Sequence, residues 1–201
     1  MSTDQHSVRQ HILDTGKAII AGKGYSAVGL NEILAAAGVP KGSFYHYFKS
    51  KELFGEAMLD DYVNRYLAEL DAVLADDGSS AAVRLMRYWD SWLVLSDDAC
   101  AGSKCLVVKL SGEVADMSEA MRCALLRGTN HIVQRLAHCI ASGHADGSIR
   151  SAVLPQESAL ALYEMWLGAA LLTKLRREPS ALHGATRATR TLLGLAEVPV
   201  Q

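Results

Sequence analysis

Donor side chains and aromatic rings are concentrated in the stretch GVPKGSFYHYFKSKELF, residues 38–54. This stretch contains all three phenylalanines of the chain, and residues 38–51 include three lysines and no acidic residue. Lysine ammonium groups and tyrosine or serine hydroxyls are common donors to phosphate oxygens. The composition therefore predicts a local binding surface for a polyanion.

Helical geometry divides this stretch into two faces. In a helix that begins near Pro40, Phe44 and Phe48 are four residues apart and share one face, which we expect to point inward together with Phe54. Proline suits the first turn because its missing N–H has no intrahelical partner there. The outward face is predicted to carry Lys41, Gly42, Ser43, Tyr45 and Tyr47.

Three side chains of this region are candidates for phosphate contacts. Tyr45 and Tyr47 lie outside the inward face beside lysines, and we expect their hydroxyls to contact phosphate rather than only to pack. Lys51 follows Ser50, the predicted N-cap of the next helix, and the unpaired backbone N–H groups of that helix end favour an anion.

Cysteine supplies a second kind of reactive group. The four cysteines show neither a CxxC pair nor the spacing of a disulfide framework or zinc site, so free thiols are expected. Cys105 lies near the start of a predicted helix, beside Lys104 and one turn before Lys109, and both a helix N-terminus and nearby cations stabilise a thiolate. Two interpretations stay open on these residues: an activated thiolate, or a buried apolar cysteine beside two solvated lysines.

The other cysteines and one further lysine give less direct signals. Cys123 and Cys139 have apolar helical neighbours typical of a core, and Cys100 falls in a predicted loop, where it is a candidate partner thiol. Lys174 follows the apolar run WLGAALLT. It either extends to solvent at the helix end or projects into a pocket toward the thiol.

Trp89, Trp92 and Trp166 have the spacing of helical core residues, and they are also our candidates for lining a ligand pocket. The seven histidines form no pair at the i, i+4 spacing of metal ligands, so we expect neither a metal site nor a cofactor.

Composition limits the class of protein. Half of the 201 residues are hydrophobic and the formal net charge is −2, which argues against a polybasic nucleic-acid binder and leaves only local basic patches. No apolar run approaches the roughly 18 residues that cross a bilayer, and the polar N-terminus lacks the apolar core of a signal peptide. We expect a cytoplasmic protein without membrane contact.

Apolar periodicity predicts an all-α protein. Residues 7–23 and 30–37 form the first two predicted helices, and Gly38 supplies the left-handed residue that ends the second. A third helix begins near residue 40 and a fourth runs to about residue 75. Further helices are predicted at 81–96, 104–114, 118–142, 156–176 and 181–195.

The first three of these helices are predicted to form a domain with a helix-turn-helix. The second and third helices are short and meet at a Gly-Val turn, and the third helix carries the donor-rich face. We predict a DNA-binding domain over residues 1–50 and a second helical domain over residues 51–201. The wide apolar faces of residues 157–175 and 181–195 favour an isologous homodimer, which would match a palindromic operator.

Residues 12–59 resemble the TetR family of bacterial repressors through GYSAVGLNEILAAAGVPKGSFYHYFKSKELF. The resemblance implies that three N-terminal helices bind DNA and that residues 51–201 form an effector-sensing and dimerisation domain. It also implies that Lys41, Gly42 and Ser43 reach base edges and that the hydroxyls of Tyr45 and Tyr47, together with Lys51, hold phosphates. Family members usually have threonine where Val28 and Gly29 stand, so a hydroxyl contact to phosphate is lost and only the Gly29 backbone N–H is expected there.

Two further segments, CLVVKLSGEVADMSEAMR at 105–122 and YEMWLGAALLTKL at 163–175, resemble a branch of the same family that senses electrophiles, such as N-ethylmaleimide, and oxidants. That resemblance implies a sensing role for Cys105, with Lys109 and Lys174 as candidate partners. The function expected from the sequence is thus a transcriptional repressor released from its operator by a small-molecule or electrophile effector.

Two alternatives to a covalent sensor stay open. A repressor of the same fold could respond instead to a reversibly bound apolar ligand. A thiol enzyme is less well supported, because the spacing gives no Cys-His-Asp arrangement and the phosphate-binding glycine motifs are absent. We therefore expect a regulator and not an enzyme.

Overall fold

A computed structural model of the chain describes residues 3–93, 105–152 and 154–195, and within these ranges it contains nine α-helices and no β-strand. The all-α class predicted from the sequence is confirmed. None of the described helices is both long and apolar enough to span a membrane. The helices are α1 (Thr3–Lys23), α2 (Leu30–Ala37), α3 (Lys41–Tyr47), α4 (Lys51–Leu74), α5 (Ala81–Leu93), α6 (Cys105–Met117), α7 (Glu119–Ala145), α8 (Pro155–Arg176) and α9 (Ser180–Leu192).

Helix ends follow the local chemistry of the chain. Gly38 ends α2 with φ of 63°, in the left-handed region that glycine adopts without a steric penalty. The last helix stops at Leu192, three residues before the predicted end, because Gly194 also has φ of 63° and the N–H of Leu195 turns back to the carbonyl of Arg190. Conversely, α7 extends to Ala145, beyond the predicted residue 142.

The described residues group into two compact units. The first comprises residues 3–66 and 105–128, and the second comprises 67–93, 129–152 and 154–195. The helix α6 therefore packs in the same unit as the three N-terminal helices. The domain boundary predicted after residue 50 stays a prediction.

Phenylalanine rings form the centre of the N-terminal part of the first unit. The ring centroids of Phe44, Phe48 and Phe54 are 5.2–5.5 Å apart, and each side chain is buried. The inward direction predicted for these rings is confirmed. Gly16 of α1 lets the helix approach this cluster, because a Cβ atom there would lie 2.4 Å from the Phe54 ring.

The helices α6 and α7 are held to α4 within the same unit. A Cβ atom at Gly55 would lie 2.6 Å from the sulfur of Met121, so the absence of a side chain allows α4 and α7 to approach closely. The Ser118 hydroxyl donates to Glu52 Oε1 at 2.6 Å. The unit thus places the start of α7 directly on the start of α4.

Tryptophan stacking organises the second unit. The rings of Trp89 on α5 and Trp166 on α8 are stacked, with centroids 4.8 Å apart and an interplanar angle of 13°. Trp166 Nε1 donates to the hydroxyl of Thr189 on α9 at 2.9 Å, and both residues are fully buried. These contacts join α5, α8 and α9 around one aromatic core.

Candidate DNA-binding surface and sensing helix

The outward residues of α3 form a donor surface, which we call the α3 face and define as Lys41, Gly42, Ser43, Tyr45 and Tyr47. Lys41, Gly42 and Tyr45 are exposed, Tyr45 to 45%, and Ser43 and Tyr47 are half-buried. The Pro40 carbonyl accepts the N–H of Ser43 at 3.0 Å and so begins the helix. The structure brings together the five α3 residues predicted to contact DNA.

Positive charge dominates around the α3 face. Lys41 Nζ lies 5.8 Å from the centroid of the Tyr45 ring, a cation–π distance. Exposed His46 and Lys49 lie beside the face, and residues 38–51 contain no acidic side chain. A chain with net charge −2 therefore presents a locally cationic surface.

Lys51, predicted to contact phosphate, is partly engaged inside the protein. Its Nζ donates to the Tyr25 carbonyl at 2.9 Å and lies 4.2 Å from the centroid of the Tyr25 ring. The Tyr25 hydroxyl donates in turn to the Lys51 carbonyl at 2.9 Å. Partial burial lowers the pKa of the Lys51 ammonium, although the nearby Glu113 carboxylate opposes that change. The phosphate contact stays a prediction, now beside an internal role.

Gly29, the remaining predicted DNA contact, stands at the N-cap of α2. It is exposed and extended, with φ of −79° and ψ of 155°, and α2 receives no side-chain capping bond there. Its carbonyl accepts the N–H groups of Glu32 and Ile33. The backbone N–H groups at the start of α2 thus receive no side-chain cap, and they can donate to an external acceptor.

The predicted sensing helix is α6, which begins at Cys105 as expected for a thiol at a helix N-terminus. The Cys105 side chain, and Cys100 and Lys104 entirely, lie outside the described residues. Lys109 is turned toward α1, where its Nζ donates to the carbonyls of Ala21 at 2.5 Å and Gly22 at 2.6 Å. The cation expected to support the thiolate therefore also binds the C-terminal end of another helix.

Glu113, one turn after Lys109, is a functional candidate that the sequence did not indicate. Its Oε2 accepts the Tyr25 N–H at 2.9 Å, and its Oε1 accepts the Ser26 N–H at 2.5 Å as well as the Ser26 hydroxyl. The same hydroxyl lies 3.2 Å from the sulfur of Met117. One face of α6 thus holds residues 21–26 by both a cation and an anion.

The electrostatics of this contact favour its charged form. Partial burial raises the pKa of the Glu113 carboxyl, but the hydrogen bonds from Ser26 and Tyr25 and the charge of Lys51 outweigh burial and lower the pKa below 4.5. Burial, with the charges of Glu52 and Glu113, raises the pKa of Tyr25 to about 12. At neutral pH the carboxylate is ionised and the phenol is neutral.

Lys174, the second predicted partner of the thiol, lies in the last turn of α8 and is exposed. A cation is favourable there because the last carbonyls of a helix carry partial negative charge. Its position agrees with the solvent-directed alternative, and a part in sensing stays a prediction.

The three tryptophans predicted to line a ligand pocket are packed against one another. Trp89 and Trp166 have no exposed surface and Trp92 is 3% exposed, with its ring 5.9 Å from each of the other two. Their position favours the core interpretation that their helical spacing also allowed. A role for them in ligand binding stays a prediction.

The second unit contains a cleft of about 1090 Å³ where the end of α4, the start of α5 and the last turns of α7 meet. Arg84 is buried at its wall, and its Nη1 lies 3.0 Å from Asp76 Oδ1. Across the cleft, Asp146 accepts the Ala81 N–H at 2.8 Å, and the hydrogen bonds from Ala81 and Ser148 lower the pKa of its carboxyl. The residues that line this cleft include charged, apolar and small polar side chains, and none of the three tryptophans is among them.

Two cysteines of the described residues are in environments that hold them as thiols. A hydrogen bond to Glu119 raises the pKa of Cys123, and burial raises the pKa of Cys139 to about 11. Because the thiolate is the nucleophile, both are expected to react slowly at neutral pH.

The N-terminal and C-terminal parts of the chain each match a known protein family. Residues 12–58 match the family described as bacterial regulatory proteins, tetR family, and residues 81–189 match the tetracyclin repressor-like C-terminal domain. The transcriptional repressor NemR of Escherichia coli K12 is 35% identical over 96% of this chain and 98% of its own length. The repressor DhaR of Mycobacterium sp. GP1 is 34% identical over 87% of this chain and 86% of its own.

Solved structures give the same similarity in three dimensions. The crystal structure of the reduced form of E. coli NemR superposes with a TM-score of 0.90 at 36% identity, covering 96% of this chain and all of that one. A regulatory protein of Rhodobacter sphaeroides superposes with a TM-score of 0.77 at 33% identity, covering 90% of this chain and 95% of that one.

Proposed function

Since this chain belongs to the TetR family of bacterial regulatory proteins and is a DNA-binding transcriptional repressor, we propose that it binds a palindromic operator as a homodimer and is released when an electrophile or oxidant modifies Cys105. The relatives are named as repressors, so we propose regulation and not catalysis. Because DNA is the target, we infer that the protein acts in the cytoplasm.

The observation that carries the DNA-binding geometry is the α3 face. Lys41, Gly42 and Ser43 stand at the N-terminal end of an exposed helix, and recognition helices contact base edges with such N-terminal residues. The glycine lets the backbone approach the groove closely, while the lysine can donate to guanine. We propose that Tyr45, Tyr47 and Lys51 hold phosphates, and the half-exposed hydroxyl-bearing side chains of α3 support this role for the two tyrosines.

Exposed leucines on α8 support the homodimer. Leu160, Leu171, Leu172 and Leu175 are 41–70% exposed, and they follow one side of the helix over about four turns. A stripe of this kind is typical of an interface, since solvent exposure of several leucines is unfavourable. An isologous contact between two copies of the chain would match the two-fold symmetry of a palindromic operator.

The dimer is tested by Leu171→Glu, because the substituted position is exposed and each isologous interface meets the new charge twice. We expect a monomer by light scattering and operator affinity lowered by at least 100-fold. Leu53→Glu, an equally exposed leucine on α4, is the matched control and should remain dimeric. A wild-type monomer that binds a palindrome tightly would contradict the proposal.

The proposed sensing chemistry begins with the Cys105 thiolate. Its position at the first residue of α6 supports this role, because backbone N–H groups at a helix N-terminus stabilise negative charge. With an electrophile such as N-ethylmaleimide, the sulfur adds to one carbon of the double bond and the other carbon takes a proton from water. NemR, the similar repressor, is described in a reduced form, which favours a redox-sensitive thiol in this branch.

Cys105→Ser tests this chemistry. Wild type and variant are treated with N-ethylmaleimide, the modified residues are identified by mass spectrometry, and operator release is measured by fluorescence anisotropy. We expect Cys105→Ser to bind the operator normally and to resist release, whereas Cys123→Ser and Cys139→Ser respond like wild type. Release of Cys105→Ser at the wild-type electrophile concentration would overturn covalent sensing at this residue.

Lys174 is the less direct partner in this proposal. Lys174→Ala should leave operator affinity unchanged and weaken the response to a hypochlorite-type oxidant, with the exposed Arg177→Ala as the control. An unchanged oxidant response would show that Lys174 has no part in sensing and acts only as a cation at the C-terminal end of α8.

Reversible ligand binding is the second candidate for release. The cleft of about 1090 Å³ supports it, because its walls combine apolar surface with the buried Arg84 and with carboxylates that can bind polar groups of a ligand. Release of the operator from Cys105→Ser by a small molecule that leaves the protein unmodified would favour this alternative.

A further inference from the structure

Lys109 and Glu113 bind opposite ends of the same short backbone segment. Lys109 donates to the carbonyls of Ala21 and Gly22, in the last turn of α1. Glu113 accepts the N–H groups of Tyr25 and Ser26, just after that helix ends. Carbonyls at a helix C-terminus attract a cation, and N–H groups without helical partners attract a carboxylate.

The segment held in this way leads directly to the DNA-binding helices. Residues 24–29 connect α1 to α2, and Gly38 to Pro40 connect α2 to α3. Gly24 has φ of 93°, and a Cβ atom there would lie 3.2 Å from Glu113 Oε2, so the carboxylate packs against the backbone itself. Tyr25 and Val28 in this connection are buried, which leaves it little freedom to move independently of α2.

We propose that Lys109 and Glu113 form a latch, defined by these two side chains and residues 21–26, through which a displacement of α6 is transmitted to α2 and α3. They are positioning residues: they do not contact DNA, and they act through the segment that orients the α3 face. The latch rests on the proposed sensing role of α6 for its signal, but its geometry does not depend on Cys105.

The directional nature of these bonds gives the latch its effect. Hydrogen bonds weaken steeply when the donor and acceptor move out of line. A rotation or shift of α6 that the side chains of Lys109 and Glu113 cannot follow therefore breaks their bonds to residues 21–26. Apolar packing tolerates sliding of side chains more readily, because it is non-directional. A shift at the start of α6 is thus converted into loss of the contacts that hold the α1–α2 connection.

Amide hydrogen exchange of the DNA-free protein tests the latch without any effector. In Glu113→Gln and Lys109→Met, we expect faster exchange at Tyr25 and Ser26 and also along α2 and α3. Asp116→Asn, an exposed acid of α6, is the matched control and should exchange like wild type. Unchanged tryptophan fluorescence verifies that the second unit stays folded. Faster exchange confined to residues 25 and 26 would overturn the latch, because the reader would then be positioned by other contacts.

Coupling between modification and release gives the second test. Each variant is modified with N-ethylmaleimide to the same extent, verified by mass spectrometry, and its operator dissociation constant is compared before and after. We expect modification to weaken operator binding at least tenfold less in Lys109→Met than in wild type, and Lys109→Arg to restore the wild-type response. Equal weakening in Lys109→Met and wild type would overturn the latch.

The two tests separate the latch from the proposed sensing role. If wild-type Cys105 is modified without releasing the operator, covalent sensing fails, and the exchange experiment still decides whether the latch positions the reader. If release is normal but exchange along α2 and α3 does not change in the variants, sensing stands and the latch fails.

Discussion

The α3 face and the latch each contain a lysine, but the lysine of the α3 face is exposed to solvent and the lysine of the latch is directed into the protein. On α3, Lys41 is exposed beside the ring of Tyr45, so its N–H groups are directed toward solvent and a possible phosphate or base. On α6, Lys109 is half-buried and gives its N–H groups to backbone carbonyls of α1. The two differ in the neighbouring surface, because the outward face of α3 is exposed to solvent, whereas α6 faces backbone carbonyls and N–H groups of residues 21–26.

Substitutions in the two regions should therefore change different properties. A change on α3 removes contacts to DNA and leaves the protein itself intact. A change in the latch leaves those contacts available but alters how α2 and α3 are held.

The largest effect is expected from Lys41→Ala on sequence discrimination. A side chain that donates to a base edge contributes roughly 1–3 kcal/mol of discrimination, so affinity for the operator should fall about 10–100-fold while affinity for unrelated DNA changes little. Competition titrations with operator and random duplexes measure this ratio. Equal loss for both duplexes would show that Lys41 contacts only phosphate.

Lys51→Ala sharpens the comparison because Lys51 is proposed to hold a phosphate and also donates to the Tyr25 carbonyl, in the segment that the latch holds. Loss of one phosphate contact should weaken all DNA alike and reduce the slope of log K against log salt by about one unit. Loss of the bond to the Tyr25 carbonyl should also lower the unfolding temperature, and this distinguishes Lys51→Ala from Lys49→Ala, whose side chain is exposed. An unchanged salt slope with a lowered unfolding temperature would assign Lys51 to the internal role alone.

Tyr47→Phe should have a smaller effect of the same kind. A hydrogen bond from an uncharged hydroxyl to a charged phosphate contributes at least about 1.5 kcal/mol, so binding to all duplexes should weaken roughly tenfold with no change in salt slope. Tyr66→Phe, a buried tyrosine of α4, is the control. If Tyr47→Phe changed the discrimination between operator and random duplexes, the hydroxyl would contact a base edge and not a phosphate.

The smallest effect concerns pH. Because the pKa of Glu113 in the folded protein lies below 4.5, its contribution to stability is full above pH 4.5 and is lost as the pH falls through the lower folded value. The unfolding temperatures of wild type and Glu113→Gln should therefore differ by a constant amount from pH 7 to 5 and converge below 4.5. A difference that stayed constant down to pH 3.5 would show that the carboxylate charge does not stabilise the latch.

The DNA-binding region was largely predictable from the sequence because its determinants are local. The four-residue spacing of Phe44 and Phe48 set the inward side of α3, and Gly38 marked the left-handed end of α2. The outward positions of Lys41 and Tyr45 followed from the same helical geometry.

The latch was not predictable because its partners are distant in sequence. Glu113 meets the Tyr25 N–H across 88 positions, and a glutamate four residues after a lysine is usually interpreted as a solvent-exposed pair on one helix. The inward turn of Lys51 depends similarly on the Tyr25 carbonyl, 26 positions away. Almost every residue carries the same backbone N–H and C=O groups, so residue types alone do not show which side chains bind them.

The contrast between the α3 face and the latch is tested most directly by measuring Lys41→Ala and Lys109→Met side by side. Operator and random-duplex affinities are determined for each variant before and after modification by N-ethylmaleimide. We predict that Lys41→Ala loses discrimination but keeps the wild-type fold-change on modification, and that Lys109→Met binds the operator more weakly before modification and loses most of that fold-change. Two variants that lost both properties to the same extent would contradict the assignment of DNA recognition to α3 and of its release to α6.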